Sequence, residues 1–279
     1  MLLVDELLME WIENVLKKGV KGLREEFLKL QQNKEVPRNE YSHFMAETNL
    51  DQNRYRNVIC LDKSRVKIMK EESDNDYIHA NYISTPYSER RFICTQAPLG
   101  NTVADFWYMI CQQKTEFIIM LTNFNENGRE KSACYFPLAI AETYPINDIV
   151  LKCHTCERRM DFPSEIWQRT IEVVLNETDR RIVTHFHWTD WPDHGVPRDF
   201  ISPLRLLEEA KFIFINSLNF LKTGIGRSGC LLLMEYVLEN LQYGEHCADM
   251  AAALGILREQ RAGLIQNDAV RAKFMLIFH

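Results

Sequence analysis

The sequence predicts a single mixed α/β domain. Short apolar runs of strand length are scattered through the first two thirds of the 279 residues, helical periodicity dominates the last third, and no Gly/Ser-rich or Pro-rich linker or internal repeat divides them. With 46% hydrophobic and 26% charged residues, the chain can bury one substantial core.

Taken in order, residues 5 to 31 read as two helices. Leu7, Leu8, Trp11, Ile12 and Val15 recur at helical spacing, and Gly19 and Gly22 mark a break before Leu23 to Leu30. Residues 35 to 64 are polar and irregular, with a short strand expected at Val58 to Leu61. Tyr77 to Ile83 and Arg91 to Thr95 read as strands, and Asn101-Thr102 offers an N-cap for a helix from Val103 to Gln113. Glu116 to Thr122 is continuously apolar inside its ends, the pattern of a strand buried on both faces. Further strands are expected at Ile149 to Cys153, Ile171 to Leu175 and Ile182 to Trp188. Helices follow at Pro203 to Lys211, Cys230 to Leu241, Cys247 to Gln260 and Ala269 to Phe278.

The net charge of −6 argues against a general nucleic-acid binder, which needs clustered Lys and Arg to release counterions. No segment reaches the ~18 uninterrupted apolar residues of a membrane helix. Asp5, Glu6 and Glu10 are unlike the basic start of a signal peptide, so a cytoplasmic domain is expected, alone or within a longer protein. Of the eight cysteines, several lie in apolar runs where a free thiol acts as a small hydrophobe. Cys153-His154-Thr155-Cys156 is a lone CxxC without a second ligand pair, and no metal site is expected from it.

The sharpest chemical feature is Thr223-Gly224-Ile225-Gly226-Arg227-Ser228-Gly229, running straight into an apolar helix. Glycines let the backbone curl so that several N–H groups converge on one anion, and the helix start adds free N–H groups and a positive dipole end. The arginine supplies a planar fork for two phosphate oxygens. These residues together predict a phosphate site.

Gly224 to Gly229 resembles the second half of the protein-tyrosine-phosphatase signature, His-Cys-x-x-Gly-x-Gly-Arg-Ser/Thr-Gly. Other motifs of that family follow in its order. Asn53-Arg54-Tyr55-Arg56-Asn57-Val58 resembles the phosphotyrosine-recognition loop. Asp76 to Ile83, Thr95-Gln96-Ala97-Pro98-Leu99 and Thr102 to Trp107 resemble structural motifs. Trp191-Pro192-Asp193-His194-Gly195-Val196-Pro197 resembles the mobile general-acid loop, and Gly263-Leu264-Ile265-Gln266 the loop whose glutamine positions water. The resemblance spans almost the whole chain. It implies one domain over 1–279 with a highly twisted mixed sheet flanked by helices. Its recognition region would be 32–58, its acid loop 188–197, its phosphate loop 220–229 and its glutamine loop 263–270.

The resemblance also implies roles. Asp193 takes the general-acid position, Arg227 and Ser228 the phosphate loop, and Gln266 the water-positioning place. Tyr55 flanks the substrate ring, with Arg56, Asn57, Lys222, Gly224, Ile225 and Gly226 as further substrate contacts. Glu126 braces Arg227, Lys131 contacts the Asp193 loop, and Trp191 supports that loop. The implied partner is a phosphotyrosine-containing protein. No metal or cofactor enters the family's chemistry, in which a thiolate attacks phosphorus, the aspartic acid protonates the departing tyrosine oxygen, and water then cleaves the cysteinyl phosphate.

One position departs decisively. The family's nucleophilic cysteine lies six residues before the arginine, and that residue here is Leu221. Phe220, Lys222 and Thr223 also replace the expected His, Ser and Ala, and Asn57 stands where some relatives carry aspartate. Leucine has no lone pair to offer, so the sequence as written predicts a pseudophosphatase without turnover. Two other readings stand beside it. Lys211 to Leu221 contains only Lys, Phe, Ile, Asn and Leu apart from one Ser, the residues A/T-rich DNA encodes, as a retained intron would. Stopping at Phe278-His279, inside the last expected helix, agrees with an incomplete coding sequence. On that reading the true product is an active phosphatase misread over 211–223. The third reading is a scaffold that binds its partner independently of phosphate.

Overall fold

A computed structural model describes residues 2–31, 36–70, 74–176, 179–193, 195–212, 219–222, 225–246 and 249–265, with side chains for these except 2–4, 30–31, 211–212 and 219–222. The first helix, α1 (Leu2–Gln31), is two helices joined at a kink where Gly19 takes φ 58 and ψ −177. Leu7, Trp11 and Val15 before the kink, and Leu23 and Phe27 after it, share the buried stripe. The break expected at Gly19 is present, whereas Gly22 lies inside the helix.

After a short helix α2 (Ser42–Met45) come β1 (Arg65–Lys67), β2 (Tyr77–Thr85), β3 (Ser88–Thr95), α3 (Val103–Gln112) and β4 (Phe117–Met120). The small hairpin β5 (Asn125–Glu126) and β6 (Arg129–Glu130) stands apart from the main sheet. Then follow β7 (Thr143–Ile146), β8 (Ile149–Arg158), β9 (Ile166–Leu175), β10 (Asp179–Trp188), α4 (Ile201–Phe212), β11 (Asn219–Lys222), α5 (Arg227–Gln242) and α6 (Met250–Gln260). Among the described residues, nine strands form one mixed sheet in the order β1-β2-β3-β11-β4-β10-β9-β8-β7. At its centre β11 runs parallel to both β3 and β4, and β4 runs parallel to β10.

Both faces of this sheet are covered. Phe117 and Ile119 of β4 face a cluster shared with α1, α4, α5 and α6, whereas Ile118 and Met120 face one shared with α3. That is why the run reads as continuously apolar rather than alternating. Each such residue contributes roughly 1.5–3 kcal/mol by burial. Among the described residues, no helix is long and apolar enough to cross a membrane.

Several expectations need correction. Val58 to Leu61 is not a strand: its carbonyls go to side chains, Val58 O to His79 Nε2 at 2.8 Å and Leu61 O to Asn81 Nδ2 at 3.0 Å. An apolar run can therefore be extended without joining a ladder. The helix expected from Cys247 begins at Met250, because Asp249 caps it through the Ala251 and Ala252 N–H groups, both at 2.9 Å. Thr102 does occupy the N-cap of α3, but its hydroxyl serves Leu99 N at 2.9 Å instead of the helix. Arg227, Ser228 and Gly229 belong to α5, three residues earlier than expected. Ala269 to Phe278 lies outside the described residues.

His79 of β2 makes the fold acid-sensitive. Its ring is 1% exposed, donates from Nε2 to Val58 O, and takes Arg261 Nη2 at 3.3 Å on Nδ1. Burial and the Arg261 charge lower its pKa to about 3. The unfolded ring takes a proton near pH 6.5 whereas the folded one refuses it, so stability is whole above that pH and falls as pH drops towards 3. Between pH 7 and 5, urea unfolding of His79→Asn is expected to lose about 2 kcal/mol less than wild type. Parallel losses in the two proteins would show that His79 is not the acid-sensitive group.

Candidate active site

The central strand β11 delivers the chain to the candidate phosphate loop. Its Cα partners are Phe92 to Thr95 on one side and Phe117 to Met120 on the other, with Leu221 level with Cys94 and Ile119. Residues 223 and 224, Gly224 among them, lie outside the described residues, as do the side chains of Leu221 and Lys222. The loop re-emerges at Ile225 and Gly226, and Gly226 caps α5, receiving Cys230 N at 3.1 Å on its carbonyl.

The loop is braced from behind. Ile225 accepts Ile265 N at 2.9 Å, while its own side chain is buried in the core, so only its backbone faces the loop. A Cβ on Gly229 would meet Ile265 N at 3.0 Å and Ile265 Cγ1 at 2.8 Å, a close approach only glycine permits. Ile265 itself has φ 54, strained for a β-branched residue. Arg258 holds it there, donating from Nε to Leu264 O and from Nη2 to Ile265 O, both at 2.8 Å. Gln266, the next residue, lies outside the described residues.

Arg227, at the first turn of α5, meets three groups. Its Nη1 and Nη2 donate to the two carboxylate oxygens of Glu126, each at 2.7 Å, and Nη1 also donates to Leu121 O. Both side chains of this ion pair are under a tenth exposed, 7% and 8%. Asp193 Oδ1 stands 3.4 Å from Arg227 Nη2, and its other oxygen accepts Lys131 Nζ at 2.9 Å. Two cations and two carboxylates thus alternate around the mouth of the loop.

Glu126 and Lys131 reach this place through the β5–β6 hairpin. Asn127 and Gly128 both take positive φ, 51 and 73, the backbone of a tight two-residue turn. Glu126 Oε1 also accepts Asn123 N at 3.0 Å, and Asn123 Nδ2 donates to Thr189 O at 2.8 Å, tying the hairpin to the acid loop. Burial alone would lower the Lys131 pKa, but Asp193, Tyr55 and Glu126 beside it carry it above the usual lysine value. Trp191 is buried against Trp188 and donates to Gly195 O at 3.1 Å. Asp190 pins the start of that loop, accepting Trp188 Nε1 at 2.7 Å and Glu165 N at 3.0 Å.

Of the residues singled out in the sequence, Arg227, Glu126, Asp193 and Lys131 come together, with Tyr55 near enough to act on Lys131. Tyr55, Arg56 and Asn57 form an exposed turn closed by Val58 N on Tyr55 O at 3.4 Å. Ser228 points elsewhere: it is fully buried and its hydroxyl pairs with the Cys94 thiol. Sequence reasoning missed Leu121, Asn123 and Arg258, which act through backbone contacts distant in the chain and leave no local pattern.

Comparison with known proteins gives a consistent picture. The family profile described as Protein-tyrosine phosphatase matches residues 49–275. The Caenorhabditis elegans tyrosine-protein phosphatase Lar-like is 32% identical over 237 residues, 82% of this chain and 10% of that protein. The Rattus norvegicus tyrosine-protein phosphatase non-receptor type 2 is 34% identical over 250 residues, 85% of this chain and 58% of that one. The chain thus spans under two thirds of either relative. A solved chain from a study of the PTPN18 fingerprint on distinct HER2 tyrosine phosphorylation sites superposes with a TM-score of 0.84 at 23% identity, covering 98% of this chain and 97% of its own, a likeness of fold.

Proposed function

Since the chain belongs to the protein-tyrosine phosphatase family, we propose that it recognises phosphotyrosine proteins without the family's covalent turnover. In this reading Arg227 and the backbone of the loop before α5 receive the phosphate, and Tyr55 flanks the aryl ring. One observation carries it: the ion-pair set around Arg227 is complete, yet the residue six positions earlier, on the strand feeding the loop, is Leu221. Leucine cannot attack phosphorus. Among the described residues, Cys94 beside Leu221 on β3 and Cys230 in the first turns of α5 are poor substitutes, because both are fully buried and burial raises both thiol pKa values. Asp193 keeps a proton donor's place with no covalent step for it to serve.

Isothermal titration with a phosphotyrosine peptide tests this directly. The expected result is binding without phosphate release, weakened about tenfold in Arg227→Lys, which keeps the charge but loses the two-pronged fork. A flat trace at millimolar peptide defeats the proposal and leaves phosphate-independent scaffolding. A second reading, an active phosphatase, is favoured by the composition of Lys211 to Leu221, where only Lys, Phe, Ile, Asn and Leu accompany one Ser. Sequencing the transcript across codons 205 to 230 decides between the two.

A further inference from the structure

We infer that Gln96 is a positioning residue that sets the aryl wall of the pocket, an inference that rests on the phosphotyrosine reading above. Gln96 follows β3 and is 6% exposed. Its Oε1 accepts Arg54 N at 2.9 Å and its Nε2 donates to Gln52 O at 2.7 Å. One planar amide thus grips the backbone on both sides of Asn53, a single residue short of Tyr55. The partners dictate the amide's orientation, because a flipped group would set donor against donor at Arg54.

The neighbouring contacts make the grip directional. Asn53 is held from its other side, accepting Tyr77 Oη at 2.6 Å and donating to Phe44 O at 3.0 Å. Arg54 donates from Nε to Ala97 O at 3.1 Å and from Nη2 to Pro98 O at 2.7 Å, the two residues after Gln96. Its Nη1 reaches Glu130 O at 3.3 Å, next to Lys131. The segment 96–98 therefore brackets two walls at once: the turn carrying Tyr55 and the hairpin whose Lys131 holds Asp193. Gln96 is itself fixed by β2, through its N–H on His79 O at 3.3 Å.

Behind the loop lies a cavity of about 10 Å³ bordered by Gln52, His79, Thr95, Gln96, Thr102 and Phe106. Tyr55 is 37% exposed, and its turn is closed by one long hydrogen bond, from Val58 N at 3.4 Å. The position of the ring is thus set between two backbone anchors, the Gln96 amide before it and the hydrogen bond from His79 Nε2 to Val58 O at 2.8 Å after it.

The test compares two probes, a phosphotyrosine peptide and inorganic phosphate, on wild type and on Gln96→Met, which keeps the volume but loses both hydrogen bonds. Gln96→Met is expected to weaken the peptide about tenfold and leave inorganic phosphate unchanged, while amide exchange quickens across residues 50–58. Gln96→Glu, which keeps the acceptor for Arg54 and repels Gln52 O, is expected to fall between the two. Equal peptide affinity in Gln96→Met and wild type overturns the inference, and so does a parallel loss for peptide and phosphate, the mark of general structural damage. A wild-type protein that binds no phosphotyrosine peptide instead removes the phosphotyrosine reading itself.

Discussion

If the protein has no turnover, as proposed, Leu221→Cys is expected to give it release of phosphate from a phosphotyrosine peptide. The substitution places a cysteine on β11, one strand position before its last residue Lys222 and six residues before Arg227. There the loop's N–H groups and the α5 dipole favour the thiolate over the thiol. Asp193, 2.9 Å from Lys131 and 3.4 Å from Arg227, takes the general-acid position on the proposed reading, and would have to leave these cations and take up a proton to serve the leaving oxygen. Loss of a nucleophile in covalently acting hydrolases costs about 10⁶ in rate. Phe220, Lys222 and Thr223 remain foreign to the signature, so a gain of about 10² to 10³ over background is expected rather than full recovery. A malachite-green phosphate assay reads the gain, mass spectrometry reads the phosphorylated thiol, and Asp193→Asn in the same background should remove most of the turnover. A folded Leu221→Cys protein that stays inert would show that residue 221 does not address the phosphate site.

How much of this was legible beforehand differs from element to element. The Gly19 break in α1 and the doubly buried β4 both follow from local chemistry, so reading along the chain reaches them. Val58 to Leu61 misleads because the sequence displays its apolar residues but not the His79 and Asn81 side chains that take its carbonyls. The site divides in the same way. Arg227 and Asp193 announce themselves by motif, and counting six residues back exposes Leu221. The bracket formed by Gln96 and the Arg258 fork under Ile265 are made of side chain to backbone contacts. The backbone partner in such a contact has no identity in the sequence, so no pattern could reveal it. The end of β11 is a different case. Lys211 to Leu221 looks foreign by composition, yet residues 219–222 still pair in register with both neighbours. Strand pairing uses backbone groups and tolerates such a sequence, whereas the chemistry at position 221 does not.

The largest loss of stability from a single change at the site is expected for Glu126→Ala. Glu126 and Arg227 are 8% and 7% exposed, and both oxygens of the carboxylate are engaged at 2.7 Å. Without Glu126 the guanidinium keeps Leu121 O and the more distant Asp193, which also answers to Lys131. A buried charge deprived of its partner costs roughly 3–5 kcal/mol, far more than the pair itself contributes over apolar residues of like volume. Glu126→Ala is therefore expected to lose about 3 kcal/mol in urea unfolding, and Glu126→Gln less, since its amide oxygen still accepts one bond. The decisive comparison is the double variant Glu126→Leu with Arg227→Met, which removes both charges and keeps the volume. If the penalty comes from an orphaned charge, the double variant should be more stable than Glu126→Leu alone, a coupling of about 1–3 kcal/mol. Additive losses would place the cost in packing instead. The two variants also separate stability from recognition: on the proposed reading, in which Arg227 receives the phosphate, the double variant should fold well and bind no phosphotyrosine peptide, its structural penalty having been relieved.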